Sequence, residues 1–525
     1  MAAAPWGDQG DGTYKNPILP GDFSDPDVIR VGDDYYLITS TFQYSPGMAV
    51  MHSKDMVSWR FIGHCVDDLT QIGPELNWDR MNRYNRGIYA GALRHHDGKF
   101  WMFFTTMDEG VFMTTATNPA GPWSPLHKVS DIKNRDDPCP IWTDDGKAYL
   151  LLSTPGRDWW TYLHPMSPDG KTIDIPGGIV LDKHHGSEGN KIWKIGDMYY
   201  LFHNQIDGGG NRTGAFMRSK NIEGPYEKQL FLQGAGADRE REPNQGGLIE
   251  MPGGKWVFLT HHGRGGYYDG RVVSLLPVEW KDGWPVPGKP IGGKTPHAGS
   301  VLWQAPKPLN GIAAASPQSD DDFSDAKLGP QWEWNYQPRK DKWSLTERPG
   351  FLRLHAFKPL SPGNLRKAGN TLTQRIMGTS GGVITAQFDV SHLADGQQAG
   401  LCHFSDLWCM VGIVQKDGKR SVYHNLKSRV KNAETGKDED KITITEGPAV
   451  TADRVWLRSV VDDKGIAQTQ FSLDGKTYVP IGSPHQLRWS DYRGDRIGLF
   501  SFNDDTDAGY VDINTFTYDY PRPGK

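Results

Sequence analysis

One short pattern returns five times in the first three hundred residues: a Gly/Asp turn followed by an apolar, aromatic-rich run. The copies are "GDDYYLI" from residue 32, "DGKFWMF" from 97, "DGKAYLL" from 145, "GDMYYLF" from 196 and "GGKWVFL" from 253. Each reads as a β-hairpin, because Gly and Asp supply the turn and the β-branched and aromatic residues suit a pleated, half-buried strand. Successive copies lie about 50 to 65 residues apart, the span of a four-stranded propeller blade. The pattern therefore predicts an all-β chain with a five-bladed β-propeller over residues 14–305. "NPAGPWSP" from 118 and "NIEGPYE" from 221 read as equivalent corners.

Counting back ten or eleven residues from each repeated strand reaches the start of the strand before it. The five positions are Asp25, Tyr89, Asp137, Glu188 and Gln245. The first strands of propeller blades surround one channel, so residues at one register converge on the axis, and three of these five are acids. Asp before Pro is also a common turn starter, since its side chain bonds the backbone two residues on, and that reading covers Asp25 and Asp137 taken singly. It does not cover Glu188, which has no Pro after it and lies in "GSEGN".

Three acids at one axis would raise the pKa of at least one. Such a set suits cleavage of a glycosidic bond, which takes a protonated carboxyl for the leaving oxygen and a carboxylate for water or the anomeric carbon. No dinucleotide fingerprint, phosphate loop or HExxH is present, and "DGGGNRTG" (207–214) reads as a flexible loop. No cofactor is expected. A structural calcium ion in the channel is not indicated by any residue pattern, and no metal ligands are assigned. The net charge of −5 and pI near 6.4, with no Lys/Arg cluster, argue against nucleic acid or an anionic membrane as partner. No apolar run is long enough to span a bilayer. Cys65, Cys139, Cys402 and Cys409 read as packed thiols, with a Cys402 to Cys409 bridge left open.

The stretches "FSDPDVIRVGDDYYLITS", "DDPCPIWTDDGKAYLL", "SEGNKIWKIGDMYYLF" and "GRVVSLLPVEWKDGWP" together resemble glycoside hydrolase family 43. The resemblance implies an inverting hydrolase with Asp25 as general base, Asp137 tuning and orienting, and Glu188 as general acid. It further implies that Arg271 reaches the sugar at the cleavage point and that Phe42 and Tyr89 line the same pocket. Many relatives have His in blade five where this chain has Asn244 and Gln245; Gln245 is taken as a substrate-binding residue, and His261 and His262 as either partial replacements or structural.

After the Pro- and Ala-rich segment at 311–325, short alternating strands predict a β-sandwich of the jelly-roll kind over 320–525. It is similar to the sandwich of the β-xylosidase and α-L-arabinofuranosidase branch, in which one sandwich loop closes the propeller mouth. Residues 399–410, with His403, Phe404 and Trp408, are the candidate lid, Phe404 being the substrate contact; packing in the sandwich core explains these rings equally well. A closed pocket implies an exo-acting enzyme that releases terminal α-L-arabinofuranose from hemicellulose-derived glycans, with β-D-xylose, or both sugars, as the alternative. A non-catalytic glycan-binding propeller is the alternative from another class. A retaining fructan-type hydrolase would place Cys after the acid, where this chain has Gly189. The N-terminus lacks a signal-peptide pattern; a processed, secreted or periplasmic protein is expected. Nothing fixes an oligomeric state.

Overall fold

The computed structural model describes residues 5–155, 158–234, 243–263, 267–378 and 381–524. Five sheets follow one another along the first part of the chain, each built on four antiparallel strands taken in sequence order, the fourth extended to six strands by Thr295–Ser300 and Lys289–Gly292. Their first strands are Asp27–Val31, Tyr89–His96, Asp136–Trp142, Glu188–Ile195 and Asn244–Glu250. Each of these touches the next, and the fifth touches the first, so the ring closes on itself. Closure leaves no edge strand facing the channel.

The repeated turns do the work expected of them. In all five sheets the repeat joins the first strand to the second, pairing Val31 with Asp34, His96 with Lys99, Trp142 with Ala148, Ile195 with Met198 and Glu250 with Trp256. The glycines at 32, 98, 146, 196 and 253 all have positive φ, which a tight hairpin needs and which glycine adopts without a Cβ clash. The two Gly-Pro corners both link third to fourth strands, in the second and fourth sheets.

The C-terminal part is a sandwich of two large sheets. Strands such as Arg454–Val461, with every second residue buried, supply the alternation that packs one sheet on the other. Phe388, Leu401, Val411, Leu457, Leu499 and Ile513 are among the fully buried side chains between them. The sandwich is not complete by itself. Its sheet ends on Tyr44–Ser45, a strand from the propeller, which pairs with Glu333–Asn335. A single apolar cluster accordingly runs from Phe23, Trp59 and Phe61 of the propeller to Trp332, Trp334 and Met377 of the sandwich.

The reading of four packed thiols holds, and the lid expectation changes. Cys402 and Cys409 form no bridge; all four cysteines are free and buried. Residues 399–410 are not a lid: they form most of the strand Gln397–Phe404 and the start of Cys409–Lys416. Phe404 is 1% exposed and packs with Tyr44, Trp408 and Phe500, so it cannot touch a sugar in the pocket. His403 is equally buried, against the Ser459 hydroxyl at 2.7 Å. The aromatic run that suggested a lid is the apolar pattern of a core strand.

Candidate active site

At the mouth of the channel lies a cavity of about 460 Å³, within the roughly 300–1,000 Å³ usual for small-molecule sites. Asp25, Phe42, Tyr89, Glu188, Gln245 and Arg271 all line it. Asp137 sits just beneath, 2% exposed, its carboxylate accepting from the Gln245 side-chain amide. Residues far apart in the chain thus meet at one hollow, as the register argument expected.

The backbone brings them there by a shared irregularity. The first strands of blades two to five each carry a register shift against their partner: between Tyr89 and Ala92, Asp136 and Cys139, Glu188 and Lys191, and Asn244 and Gly247. The residue that opens each shift has positive φ, namely Ala90, Asp137, Gly189 and Gln245 (with Gly246 after it), and Asp25 shares it in blade one. A β-bulge re-aims the side chains beside it, and non-glycine residues in this conformation concentrate at functional sites. The bulges also refine the register. Glu188 corresponds to Asp136, Tyr89 and Asn244, one residue before the level of Asp25, Asp137 and Gln245. Counting from the hairpins could not separate these levels, because a bulge adds a residue that periodicity does not reveal.

Asp25 is 6% exposed and fully engaged. The Ser40 hydroxyl donates to Oδ2 at 2.7 Å, and the Arg271 guanidinium donates from Nη1 to Oδ1 at 2.7 Å and from Nη2 to Oδ2 at 3.3 Å. A forked Arg pair with a further donor satisfies both oxygens of a buried carboxylate. Arg271 follows Gly270, whose φ is +80° and where a Cβ would lie 2.5 Å from that of Asp22; Asp22 in turn accepts the Arg271 N–H at 3.1 Å.

Asp137 and Asp136 are both pushed up, Asp137 by burial first and by Asp25, Asp136 by burial first and by Asp137. The buried Lys191 ammonium opposes the rise at both, as does the Gly189 N–H at Asp137. That last hydrogen bond joins Asp137 to the residue next to Glu188. Gly189 itself has φ +72°, and a Cβ there would lie 2.6 Å from the Asn204 amide. Glu188 forms an ion pair with Arg212.

The channel centre is filled by a chain of hydrogen bonds. The Asp25 N–H donates to His261 Nδ1 at 2.8 Å, which puts the ring hydrogen on Nε2, facing Asn244 Oδ1 at 2.5 Å. Asn204 bonds Asn244 through Nδ2, and its Oδ1 accepts the Gln245 N–H. The His261 lone pair is used in this arrangement and is not offered to a cation. Among the described residues no group of three or more His, Cys, Asp or Glu side chains could hold a metal ion. His262 packs deeper, its Nε2 2.6 Å from the Ser274 hydroxyl.

Phe42 stacks on Tyr89 with ring centroids 5.7 Å apart. Several lining residues escaped sequence reasoning, among them Arg86, Trp159, Arg212 and Tyr492. Arg212 lies in the run read as a flexible loop, yet it begins a strand. Tyr492 comes from the sandwich, where the Ser490 to Arg493 turn leans on the propeller. Next to it, Arg493 donates to Gln43 Oε1 at 2.9 Å and lies over the Phe42, Tyr44 and Tyr84 rings. No local motif marks "SDYRGD"; only the docking of the two halves brings it to the pocket.

Comparison with known proteins identifies the two parts of the chain. The family model described as Glycosyl hydrolases family 43 matches residues 14–285, and one described as Beta xylosidase C-terminal Concanavalin A-like domain matches 320–519. The chain is 36% identical to a protein of Formosa agariphila named Beta-xylosidase, covering 99% of this chain and 92% of that one. It is also 36% identical, over 65% of each chain, to a Bacteroides ovatus protein named Non-reducing end alpha-L-arabinofuranosidase BoGH43B. Among solved structures, the GH43 BlXynB protein from Bacillus licheniformis superposes with a TM-score of 0.79 at 25% identity, covering 97% of this chain and 99% of that one. A bifunctional GH43-CE protein of Bacteroides eggerthii gives 0.81 at 29% identity; this chain covers 63% of its length.

Proposed function

Because this chain belongs to glycosyl hydrolases family 43, we propose that it removes single terminal pentoses from hemicellulose-type glycans with inversion at the anomeric carbon. The observation that carries the reading is the meeting of Asp25, Asp137 and Glu188 at one cavity walled on one side by a sandwich residue, Tyr492. Asp25, held as the carboxylate by Arg271 and Ser40, takes a proton from water as its oxygen bonds to the anomeric carbon. The glycosidic C–O bond breaks, and Glu188 gives its proton to the leaving oxygen. Asp137, beside the Gly189 N–H, adds negative charge under Glu188 and so favours its protonated form. The stacked Phe42 and Tyr89 offer an apolar wall to the sugar ring, and the sandwich wall supports attack at a chain end.

For the sugar we place β-D-xylose first, since the Formosa relative that matches nearly the whole chain is named for it. α-L-Arabinofuranose, the sugar favoured from sequence, is the second reading, supported by the Bacteroides ovatus relative. Aryl β-D-xyloside and aryl α-L-arabinofuranoside assayed side by side, with the product anomer followed by NMR, test both points. We expect faster turnover of the xyloside and α-D-xylose as first product. A first product of retained configuration overturns the mechanism, and binding without turnover of either glycoside favours the non-catalytic propeller.

A further inference from the structure

Arg375 ends a sandwich strand, Leu372–Arg375, and its guanidinium reaches across the seam to the propeller. It is 3% exposed and lies over the Phe23 and Phe61 rings. Nε donates to the main-chain oxygen of Asp22 at 2.9 Å and Nη2 to that of Ser40 at 3.2 Å. These two carbonyls belong to the two residues that arrange the Asp25 side of the cavity. The Asp22 carboxylate accepts the Arg271 N–H, and the Ser40 hydroxyl donates to Asp25 while accepting the Ala90 N–H at 2.9 Å. Asp25 therefore receives its three side-chain donor contacts from groups whose backbone is clamped, directly or through Asp22, by one sandwich side chain.

The clamp has a fixed base. Arg375 Nη1 pairs with Glu333 at 2.9 Å, and Glu333, fully buried, also takes Arg496 at 2.6 Å and faces His64 at 3.4 Å. Burial alone would raise Glu333, but Arg375 and Arg496 hold it well below the usual carboxylate range. Arg496 Nε is tied to the Thr373 hydroxyl at 2.9 Å. Two other polar links across the seam lie away from this group: Gln318 brackets the Phe61 backbone, and Gln337 accepts from Ser45 and Leu69. Neither touches a residue that contacts Asp25.

We infer that Arg375 is a positioning residue for the proposed base, the sandwich acting on the chemistry by holding the Asp22 and Ser40 carbonyls at fixed separation as well as by walling the pocket. The inference rests on the reading of Asp25 as base. A small displacement of a reacting group lowers turnover by about a hundredfold while leaving much of substrate binding intact.

The test uses the full chain with R375M, R375K, S40A, the double variant R375M/S40A, and Q318A as a seam control, on whichever aryl glycoside the wild type cleaves. We expect kcat to fall by about 10- to 100-fold in R375M with KM changed by less than about threefold, and R375K to fall between it and wild type. The double variant should lose clearly less than the two single losses multiplied, because R375M acts in part through Ser40. Q318A should lower the melting temperature and leave kcat within about twofold. If R375M does not fold, R375K carries the comparison. Full kcat in R375M or R375K at a melting temperature lowered like that of Q318A overturns this inference alone, as do additive losses in the double variant. A wild type inactive on both glycosides overturns it together with the reading it rests on.

Discussion

Asp25 is held from three directions: Ser40 from its own blade, Arg271 from the fifth blade, and His261 through its backbone N–H. Glu188 is held less tightly, with side-chain exposure of 21% and Arg212 as partner. The difference suits a base that must stay ionised and an acid that must exchange its proton with each turnover. Asp25→Asn and Glu188→Gln should each lower kcat by about 10²- to 10⁴-fold, and they should differ in one respect. A nitrophenolate leaves without protonation, so Glu188→Gln loses less on nitrophenyl glycosides than on an unactivated disaccharide. Asp25→Asn loses about equally on both. Comparing kcat across leaving groups of different pKa checks the assignment, and leaving-group dependence in Asp25→Asn instead would exchange the two roles. At this scale much was legible beforehand: a Glu without a following proline, at the place where a strand begins, has no structural reason to be there. Arg212 was not legible, since one arginine in a glycine-rich run carries no periodic or compositional signal.

The bulged first strand is the element that turns a ring of hairpins into a site. It sets two adjacent levels of side chains over the channel, with Asp25, Asp137 and Gln245 on one and Tyr89, Glu188 and Asn244 on the other. Gly189 tests this. Its φ is +72° and a Cβ would press on Asn204 and on Gln245 Cγ at 2.7 Å, whereas Gly98, at φ +70° in a hairpin, has nothing within 4 Å. Gly98→Ala should cost about 1–2 kcal/mol of conformational strain and leave kcat unchanged. Gly189→Ala carries the same strain plus the overlap, so it should lower the melting temperature further and also reduce kcat, by moving Gln245 off Asp137. Thermal melts and kcat for the pair check this, and equal effects on kcat would show that the bulge does not position the site. Strand alternation and turn residues are local, so the hairpins could be read from sequence. A bulge depends on how two strands settle against each other, so it could not.

On the scale of the whole molecule, propeller and sandwich are joined as one folding unit. They share a sheet through Tyr44–Ser45, a buried charge group in Glu333, Arg375, Arg496 and His64, and one continuous apolar cluster. Separating them would expose that cluster and take from Arg375 its Asp22 and Ser40 carbonyl partners and from Glu333 its contact with His64. Calorimetry of the full chain should therefore show a single cooperative transition, and a chain ending near residue 310 should be insoluble or melt far lower. Two well-separated transitions would show that the halves fold independently. The sequence by itself determined the all-β class, the repeated hairpins, the break before the sandwich and the three acids at strand starts, because turn chemistry and strand periodicity act between near neighbours. Only the tertiary structure decided that Phe404 is core, that Tyr492 faces the pocket, that Arg212 meets Glu188 and that Arg375 reaches beneath Asp25. Apart from Arg212 with Glu188, those contacts join residues hundreds of positions apart, and which of them form depends on how two complete sheets and a closed ring dock against each other.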